Sequence, residues 1–566
     1  MKLKREVLLI TIFFLLLGPV ISIHGKQVMN ADETAVDAVT GPNGLVYSSF
    51  IGGSGDDYGC AVARDRQNNT IIAGITYSAD FPVTEGAFDT THNGASDVFV
   101  SKFAENGSLL FSTFIGGSDE ETLNDGPDGF ISHHLSLALD STGTIVIYGR
   151  TYSADFPVTD GAHDTSYGGS GDLFIAKISS NGSELLFATY LGGTGTDQFG
   201  HAGGQIIATD QADNIIVTGM TDSIDFPTTP NAVDRSFPGV FIVKFSADGS
   251  TLLYSSFMGP GFSTNLVLDN EGNILVAGGG NEGYIVEPTA GAYDTSYNGG
   301  SHDGFILKLA ADGSEILWTT LLGGSDQDIG LKIAVDSAGD VYVAGLTKSS
   351  NFPVTAGASD TALDGITDYF IAKLSKNGEE LLFSTFHGGN GLEFITGMAL
   401  DSNNGVYIAG TSDSADFPVT PTATDGSLGG GQDYTVSKLT PDGSFVQHAS
   451  YLGGSDQEIG PFSPSGNRIK HLTTGDIELV SEDNVIVIGT TNSTDYPTTT
   501  GAYNATSAGG YDAFITQLAW TPSTVTTTTT SNSVPGFDVF AGVICILAVS
   551  TLVKWSRCRK KNKEYE

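Results

Sequence analysis

Cysteine is scarce in this chain of 566 residues, which has only Cys60, Cys545 and Cys558. The last two lie close to the C-terminus, so the main body of the chain holds a single thiol. An internal disulfide is therefore excluded there, and the fold must be stabilised by packing rather than by covalent crosslinks.

Positive charge is also scarce. The chain has 25 Lys and Arg residues against 65 Asp and Glu residues, which gives a formal net charge of −40. Nucleic acid is therefore excluded as a partner, because phosphate binding needs a basic patch. The balance suits a soluble, self-repelling surface that meets salt or divalent cations.

Long apolar runs are missing except near the two ends. At the N-terminus, Lys2, Lys4 and Arg5 precede an apolar run over residues 7–17 and then small residues. This layout predicts a secretory signal peptide over residues 1–25, followed by a linker over 26–44. An uncleaved anchor is the alternative, for which the run is short.

The C-terminal end predicts attachment to a membrane. Residues 521–534 are rich in Thr and predict an extended, O-glycosylated stalk. Residues 535–555 are mostly apolar and predict a transmembrane anchor, and the basic residues within 556–566 predict a cytoplasmic tail. The body of the chain is thus expected outside the cell, on its surface.

What the chain has in abundance is repetition. A phrase built on Asp-Phe-Pro follows a strand-like run in seven places, once in the degenerate form "IVEP" that ends at Pro288. The other six copies are Asp80-Phe81-Pro82, Asp155-Phe156-Pro157, Asp225-Phe226-Pro227, Asn351-Phe352-Pro353, Asp416-Phe417-Pro418 and Asp495-Tyr496-Pro497. Each unit has four strand-like runs joined by turn residues, and its second run is expected to end on a glycine such as Gly74.

Seven four-stranded antiparallel units, none able to bury itself alone, predict an all-β fold: a seven-bladed β-propeller over residues 45–520. The last unit has a third strand but no fourth, whereas a lone strand over residues 45–51 precedes the first unit. We therefore expect this N-terminal strand to complete the last blade, which closes the ring and removes its open edges.

Several phrases carry a resemblance to known families. The phrases "YSSFIGGSGDD", "ATYLGGTGTD", "TDSIDFPTTPNA" and "DAFITQL" resemble the seven-bladed β-propeller repeat (SBBP) family. That resemblance implies a propeller on exported or cell-surface proteins and brings no shared catalytic set. Pro535, Gly536 and Phe537, with the apolar and basic residues after them, resemble the archaeal PGF-type sorting tail. That second resemblance implies a tail that is cut off and replaced by a lipid.

Two loops that follow fourth strands are enlarged, over residues 116–134 and 453–475, and both are expected on the face that carries the Asp-Phe-Pro loops. Asp125 and Asp128 are a candidate Ca²⁺ site, with a solvated acidic loop as the alternative. The basic residues of the second loop suit a carboxylate or sulfate, or they pair with neighbouring acids. The candidate binding residues are Asp119, Glu120, Glu121, Asp125, Asp128, Arg468, Lys470 and His471.

The Asp-Phe-Pro loop itself is expected to have a structural role, with Phe81 filling the gap between blades and Asp80 and Asp89 accepting backbone hydrogen bonds. The alternative is a ring of Asp carboxylates that binds Ca²⁺. Glycosylation candidates in Asn-x-Ser/Thr sequons are Asn68, Asn106, Asn181, Asn492 and Asn504.

No catalytic constellation emerges from the innermost strands, whose only charges before their terminal Asp residues are Arg64, Lys332, Asp476 and Glu478. The sequence therefore favours a surface-anchored extracellular propeller that binds a protein or a glycan, as an adhesion scaffold. No cofactor is expected apart from a possible Ca²⁺. The alternatives are an enzyme acting on extracellular polysaccharide and a passive component of the cell envelope.

Overall fold

The computed structural model describes residues 44–125, 131–133, 135–198, 205–236, 238–458 and 474–520. All the secondary-structure elements within these ranges are β-strands. The strands are β1 (Leu45–Ile51), β2 (Asp57–Arg64), β3 (Thr70–Thr76), β4 (Asp97–Phe103), β5 (Leu109–Ile115), β6 (Leu123–Asp125), β7 (Ile131–His133), β8 (Ser136–Leu139), β9 (Ile145–Thr151), β10 (Asp172–Ile178), β11 (Leu185–Leu191), β12 (Asp197–Gln198), β13 (Ile207–Thr209), β14 (Ile215–Thr221), β15 (Val240–Phe245), β16 (Leu252–Gly259), β17 (Phe262–Leu268), β18 (Ile274–Gly280), β19 (Asp303–Leu309), β20 (Ile316–Leu322), β21 (Asp328–Val335), β22 (Val341–Thr347), β23 (Asp368–Leu374), β24 (Leu381–His387), β25 (Glu393–Leu400), β26 (Val406–Ser412), β27 (Asp433–Leu439), β28 (Val446–Leu452), β29 (Asp476–Ser481), β30 (Asn484–Thr491) and β31 (Asp512–Ala519).

The strands form the predicted seven-bladed β-propeller. Each blade is an antiparallel sheet of four strands, and six of the blades have them in chain order, as in β2-β3-β4-β5. In the third blade two short strands, β12 and β13, take the place of the first strand. The first strands of consecutive blades contact one another round the ring, so they line the central channel. The second and third strands are buried along most of their length, and β3 and β4 along all of it, because blades cover them on both faces.

The predicted closure of the ring is confirmed. β1 pairs antiparallel with β31, with Phe50 opposite Phe514 and Ile51 opposite Ala513. The seventh blade therefore has the strand order β1-β31-β30-β29 and contains both ends of the propeller. Strand β1 covers the edge that β31 would otherwise expose to other chains.

The glycine in each second strand has a different role from the one expected, because the strand does not end on it. Gly74 lies within β3, which continues to Thr76. A Cβ on Gly74 would lie 2.6 Å from the Phe99 ring of the third strand. On the other side of that ring, Phe81 of the Asp-Phe-Pro loop stacks with a centroid separation of 4.4 Å.

This stacked pair explains why the loop is repeated. Phe81 is only 3% exposed and belongs to a core cluster with residues of the first and seventh blades, so it fills the gap between blades as expected. The equivalent stacked pairs are Phe156 with Phe174, Phe226 with Phe241, Phe352 with Phe370 and Tyr496 with Phe514.

In six blades the Asp that follows the first strand forms a buried ion pair. Asp65 accepts hydrogen bonds from the backbone N–H groups of Gln67 and Asn69 in its hairpin turn, and its other oxygen lies 2.8 Å from Nζ of Lys102 in the third strand. In the seventh blade Gln517 takes the place of the Lys. The same pairing joins Lys177 to Asp140, Lys244 to Asp210, Lys308 to Asp269, Lys373 to Asp336 and Lys438 to Asp401.

Candidate functional site

The Asp of the Asp-Phe-Pro loop ties two loops together on one face. Asp80 Oδ1 accepts hydrogen bonds from N and Oγ of Ser54, at 2.8 and 2.9 Å, in the loop that leads into the first strand. Asp89 likewise accepts a hydrogen bond from N of Thr91. The loops after second and fourth strands thus share a face, here called the loop face. Equivalent ties join Asp155 to Ser118, Asp225 to Thr194, Asn351 to Ser325, Asp416 to Asn390 and Asp495 to Ser455.

Glu121, a residue of the predicted acidic binding loop, lies inside the molecule with no exposed surface. Its Oε1 accepts hydrogen bonds from Gly117 N, Thr151 Oγ1 and Ser153 Oγ. Burial is the main cause that raises the pKa of Glu121 to about 8. Asp119 is exposed and Glu120 is partly exposed beside it.

Glu121 is one of six equivalent acids, each placed where the chain enters a first strand. In the first blade this acid is Asp57, whose Oδ2 accepts hydrogen bonds from Gly53 N and Ser78 Oγ. We call these residues the entry acids. They are Asp57, Glu121, Asp197, Asp328, Glu393 and Glu458, and all are buried.

The enlarged loops begin after the entry acid and therefore interrupt the first strand. In the first blade, three residues separate Asp57 from Ala61, which pairs with Ala73. In the second blade, residues 122–135 separate the entry acid from Ser136, which pairs with Tyr148 at the equivalent position. Strand β8 accordingly has only 4 residues, compared with 8 in β2. In the seventh blade, residues 459–475 separate the entry acid Glu458 from the start of β29.

A third insertion, which the sequence reasoning missed, lies in the third blade. There the chain takes residues 198–205 between Asp197 and Ile206, whose carbonyl accepts a hydrogen bond from Thr218. The signal available in the sequence was the distance from the GG turn to the hairpin Asp, which is longer here than in the first blade. The three insertions thus enter the second, third and seventh blades on the loop face.

The remaining candidate binding residues are described only in part. The backbone of Asp125 pairs with Ile131 where β6 and β7 form a small hairpin. The side chain of Asp125, and the whole of Asp128, Arg468, Lys470 and His471, lie outside the described residues. Among the residues that are described, no three His, Cys, Asp or Glu side chains converge as metal ligands.

A groove of about 870 Å³ opens beside the start of the seventh-blade insertion. Its wall combines Leu45 and Val46 of the closing strand with Leu452, Ser455 and Asp495. The mixture of apolar surface and a few polar groups is typical of a binding groove.

The channel contains the four charges expected from the innermost strands. Lys332 is 4% exposed, and burial lowers its pKa to about 8, partly opposed by the charge of Asp476. Burial raises the pKa of Asp476 to about 6 and that of Glu478 to about 7. Arg64 donates from Nη1 to the carbonyl of Val480. Perturbed charges of both signs in a channel are a candidate site, although buried ion pairs with a structural role shift pKa values in the same way.

On the face opposite the loop face, a cavity of about 640 Å³ lies among the first hairpins of blades one to three. Its lining includes Arg64, Arg66, Ser141 and Asp213. Ser141 already donates to Asp213, at 2.7 Å, so part of this polar surface is satisfied internally.

Two of the glycosylation candidates, Asn106 and Asn181, lie in turns as their Asn-Gly context predicts. Asn68, Asn106 and Asn181 are exposed, and Asn492 and Asn504 are half-buried. Asn106 Oδ1 accepts hydrogen bonds from N and Oγ of Ser108, the hydroxyl residue of its own sequon. Turn chemistry is therefore sufficient to explain this sequon.

Comparison with known proteins agrees with the repeat architecture. The family model of the SBBP β-propeller repeat matches residues 317–353 and 388–418. The chain is 23% identical over 396 residues to regulatory protein FlaEY of Caulobacter vibrioides, covering 69% of this chain and 34% of that protein. It is 22% identical over 433 residues to the uncharacterized WD repeat-containing protein L264 of Acanthamoeba polyphaga mimivirus, covering 63% of this chain and 30% of that protein.

The chain thus spans about a third of the length of these curated relatives. Among solved structures, one of an unknown-function protein from Dyadobacter fermentans is 12% identical, with a TM-score of 0.38, and covers 84% of this chain and 99% of that one. Within the described ranges no helix is long and apolar enough to cross a membrane. The predicted signal peptide, linker, stalk, anchor and tail lie outside those ranges, apart from Gly44 at the end of the linker.

Proposed function

We propose that the protein is a surface-anchored extracellular binding scaffold, and that its loop face engages a protein or a glycan in adhesion. The observation that carries the proposal is the break in symmetry on that face. The seven blades repeat one another closely, yet insertions interrupt the first strands of blades two, three and seven. Function is commonly found on such irregular loops, held by a rigid scaffold.

Two further features support binding rather than catalysis. The groove beside the start of the seventh-blade insertion offers apolar surface next to Ser455 and Asp495 of the loop face. In the described residues the channel charges Arg64, Lys332, Asp476 and Glu478 compensate one another, with no nucleophile aligned on a base. An enzyme acting on extracellular polysaccharide and a passive envelope component are the other outcomes of the test.

The test is a screen of glycans and extracellular proteins against the soluble segment 27–520, with and without Ca²⁺. The matched variants follow from the entry acids. Deleting residues 124–134, or residues 460–473, leaves each entry acid in place and restores the three-residue step of the first blade. We expect both variants to fold, because surface loops tolerate length changes at small entropic cost.

Binding should weaken in these variants and should be unchanged in a variant that carries Asp213→Asn on the opposite face. Unchanged binding in both deletion variants would contradict the proposal. Turnover of a polysaccharide in the same screen would favour the enzyme. No ligand in any panel, together with an intact lattice of the chain on cells, would favour the passive envelope component.

Anchoring is tested separately. Protease added to intact cells should release the propeller by cutting within residues 521–534, since the basic tail is proposed to be cytoplasmic. Protection of the propeller until the membrane is breached would show the reverse topology. Mass spectrometry of the mature C-terminus distinguishes a retained helix from a lipid-linked, processed tail.

A further inference from the structure

Six of the seven junctions between blades contain a second buried acid that faces the entry acid. This second acid begins the third strand of the preceding blade, as Asp97 of β4 does opposite Glu121. Both residues of this pair have no exposed surface. We call each such arrangement a junction pair. The junction pairs are Asp512 with Asp57, Asp97 with Glu121, Asp172 with Asp197, Asp303 with Asp328, Asp368 with Glu393 and Asp433 with Glu458.

At five of the six junctions, a Cβ on the first glycine of the GG turn would lie within 3.1 Å of both acids of the pair. A Cβ on Gly116 would lie 2.3 Å from Oδ1 of Asp97 and 2.9 Å from Oε2 of Glu121. A Cβ on Gly453 would lie 2.7 Å from Oδ1 of Asp433 and 2.9 Å from Oε2 of Glu458. The two carboxylates of a junction pair therefore meet at one point, beside a glycine whose missing side chain leaves room for them.

The two oxygens that meet at Gly116 lack a hydrogen-bond partner. The opposite oxygens are satisfied, since Glu121 Oε1 accepts three hydrogen bonds and Asp97 Oδ2 accepts one from Asn93 N. Buried polar atoms are normally paired, so an orphan oxygen on each side of one gap indicates a missing partner. Every junction acid except Asp433 has such an unpartnered oxygen, whereas Asp433 Oδ1 accepts a hydrogen bond from Gly430 N at 3.3 Å.

No ion pair found among the described residues supplies that partner. All eight ion pairs found there involve hairpin acids on the opposite face, and none involves a junction pair. Two carboxylates held together in a dry junction repel each other, so the fold needs a positive charge at this point.

We propose that the six junction pairs are Ca²⁺ sites, each of which holds one cation between two blades. Carboxylate oxygens are the ligands that this hard cation prefers, and backbone carbonyls complete its shell in proteins. The carbonyl oxygen of Gly117 lies 2.8 Å from the position of a Cβ on Gly94, in the turn that precedes Asp97. These sites are distinct from Asp125 and Asp128, and they do not depend on the binding function proposed above.

The junction between blades three and four is an internal contrast. There Gly239 and Val240 occupy the start of the third strand, Gly259 and Gly261 flank the turn, and Phe262 begins the first strand. Both acids are replaced together by residues that carry no charge. That joint loss is expected if the two acids serve one shared ion and have no separate use.

The competing occupant is a proton shared by each pair. Burial raises the pKa of Glu121, Glu393 and Glu458 to about 8 and that of Asp57 and Asp303 to about 7. With protons alone, stability would be highest in mild acid and would fall as pH rises through these values. The neighbouring titratable groups that face the pairs are Asp56, Tyr58, Asp89, His92, Asp164, Asp222, Asp294, Asp326, Asp360, Asp364, Asp413 and Asp425.

The experiment is calcium counting on the purified full-length chain. The protein is treated with EDTA, dialysed against buffered CaCl₂ at pH 7.5, and its bound calcium is measured by atomic emission. We expect about six Ca²⁺ ions per chain, one for each junction pair, and a rise in the midpoint of thermal unfolding when Ca²⁺ is added. Glu121→Gln should remove one ion, as should Asp97→Asn alone.

Asp80→Asn, on the loop face, and Asp125→Asn, in the insertion, should each leave the count from the junction pairs unchanged. Two results would overturn the proposal. The first is no bound calcium, together with a thermal unfolding midpoint that does not respond to Ca²⁺ and decreases as the pH is raised from 5 to 8. That result would assign protons to the pairs. The second is calcium lost on Asp125→Asn and retained on Glu121→Gln, which would place it in the insertion.

Discussion

Truncation of Phe50 tests how firmly the N-terminal strand closes the ring. Phe50 is 1% exposed on β1 and lies opposite Phe514. Phe114 holds the equivalent position on β5, opposite Phe99, and is also 1% exposed. The two strands differ in connectivity, because β5 follows its partner strand directly, whereas β1 comes from the other end of the propeller.

A buried Phe→Ala substitution costs about 3–5 kcal/mol, from lost transfer free energy and the cavity that remains. We therefore expect Phe50→Ala and Phe114→Ala to lower the free energy of unfolding by similar amounts within that range. Leu110→Ala is the control, because Leu110 is 49% exposed on β5 and should change stability by less than about 0.5 kcal/mol.

The assay is guanidinium-induced unfolding followed by fluorescence and circular dichroism, with coincidence of the two transitions as the check on cooperativity. Equal losses for the two Phe variants would mean that β1 belongs to the same cooperative unit as the rest of the ring. The reasoning would be refuted if Phe114→Ala cost about 4 kcal/mol and Phe50→Ala less than about 1 kcal/mol. Strand β1 would then be a detachable segment, and the seventh blade would be open in solution.

Three further predictions concern stability. Lys102→Met should lower the free energy of unfolding by about 3–5 kcal/mol, because it leaves Asp65 buried without its partner. Gln517→Met, at the matching position of the seventh blade, should lower it much less. Denaturant titration of both variants measures the difference. Gly74→Ala should destabilise the fold strongly, because the added Cβ would lie 2.0 Å from the Tyr58 carbonyl oxygen. Gly86→Ala is the control, because its Cβ meets no atom within 4 Å and should cost only about 1 kcal/mol for the positive φ. Similar unfolding midpoints for the two variants would contradict the packing described above. His387 shares one hydrogen bond with Ser437 inside the core, and burial lowers the pKa of His387 to about 4 from an ordinary value near 6.5. Its contribution to stability is therefore present above pH 6.5 and is lost as pH falls towards 4. The stability difference between wild type and His387→Gln should shrink by about 3 kcal/mol across that window, and a difference independent of pH would contradict the assignment.

Much of the fold follows from the sequence because repetition makes a long-range pattern local. Seven copies of the Asp-Phe-Pro phrase fix the number of blades, and the missing fourth strand after β31 indicates where β1 must pair. The stacking role of Phe81 could be predicted for the same reason, since one residue type recurs at one place in nearly every unit.

The functional surfaces were less predictable, and the reason is physical. Glu121 appears in the sequence as one of several acids in an exposed loop, because its partner Asp97 lies on a different blade and the pair exists only after blades pack. Three of the entry acids are Asp and three are Glu, which hides their equivalence. Gly74 looked like the end of a strand, although its smallness is needed for the ring of Phe99, and the third-blade insertion was hidden by its modest length.

The most direct test of the binding proposal is the affinity of a ligand found with the segment 27–520 for the variant that lacks both 124–134 and 460–473. The account predicts a folded propeller with an unchanged unfolding midpoint and affinity reduced at least tenfold, which corresponds to about 1.4 kcal/mol. Unchanged affinity in that folded variant would contradict the account and move the binding site away from the two insertions.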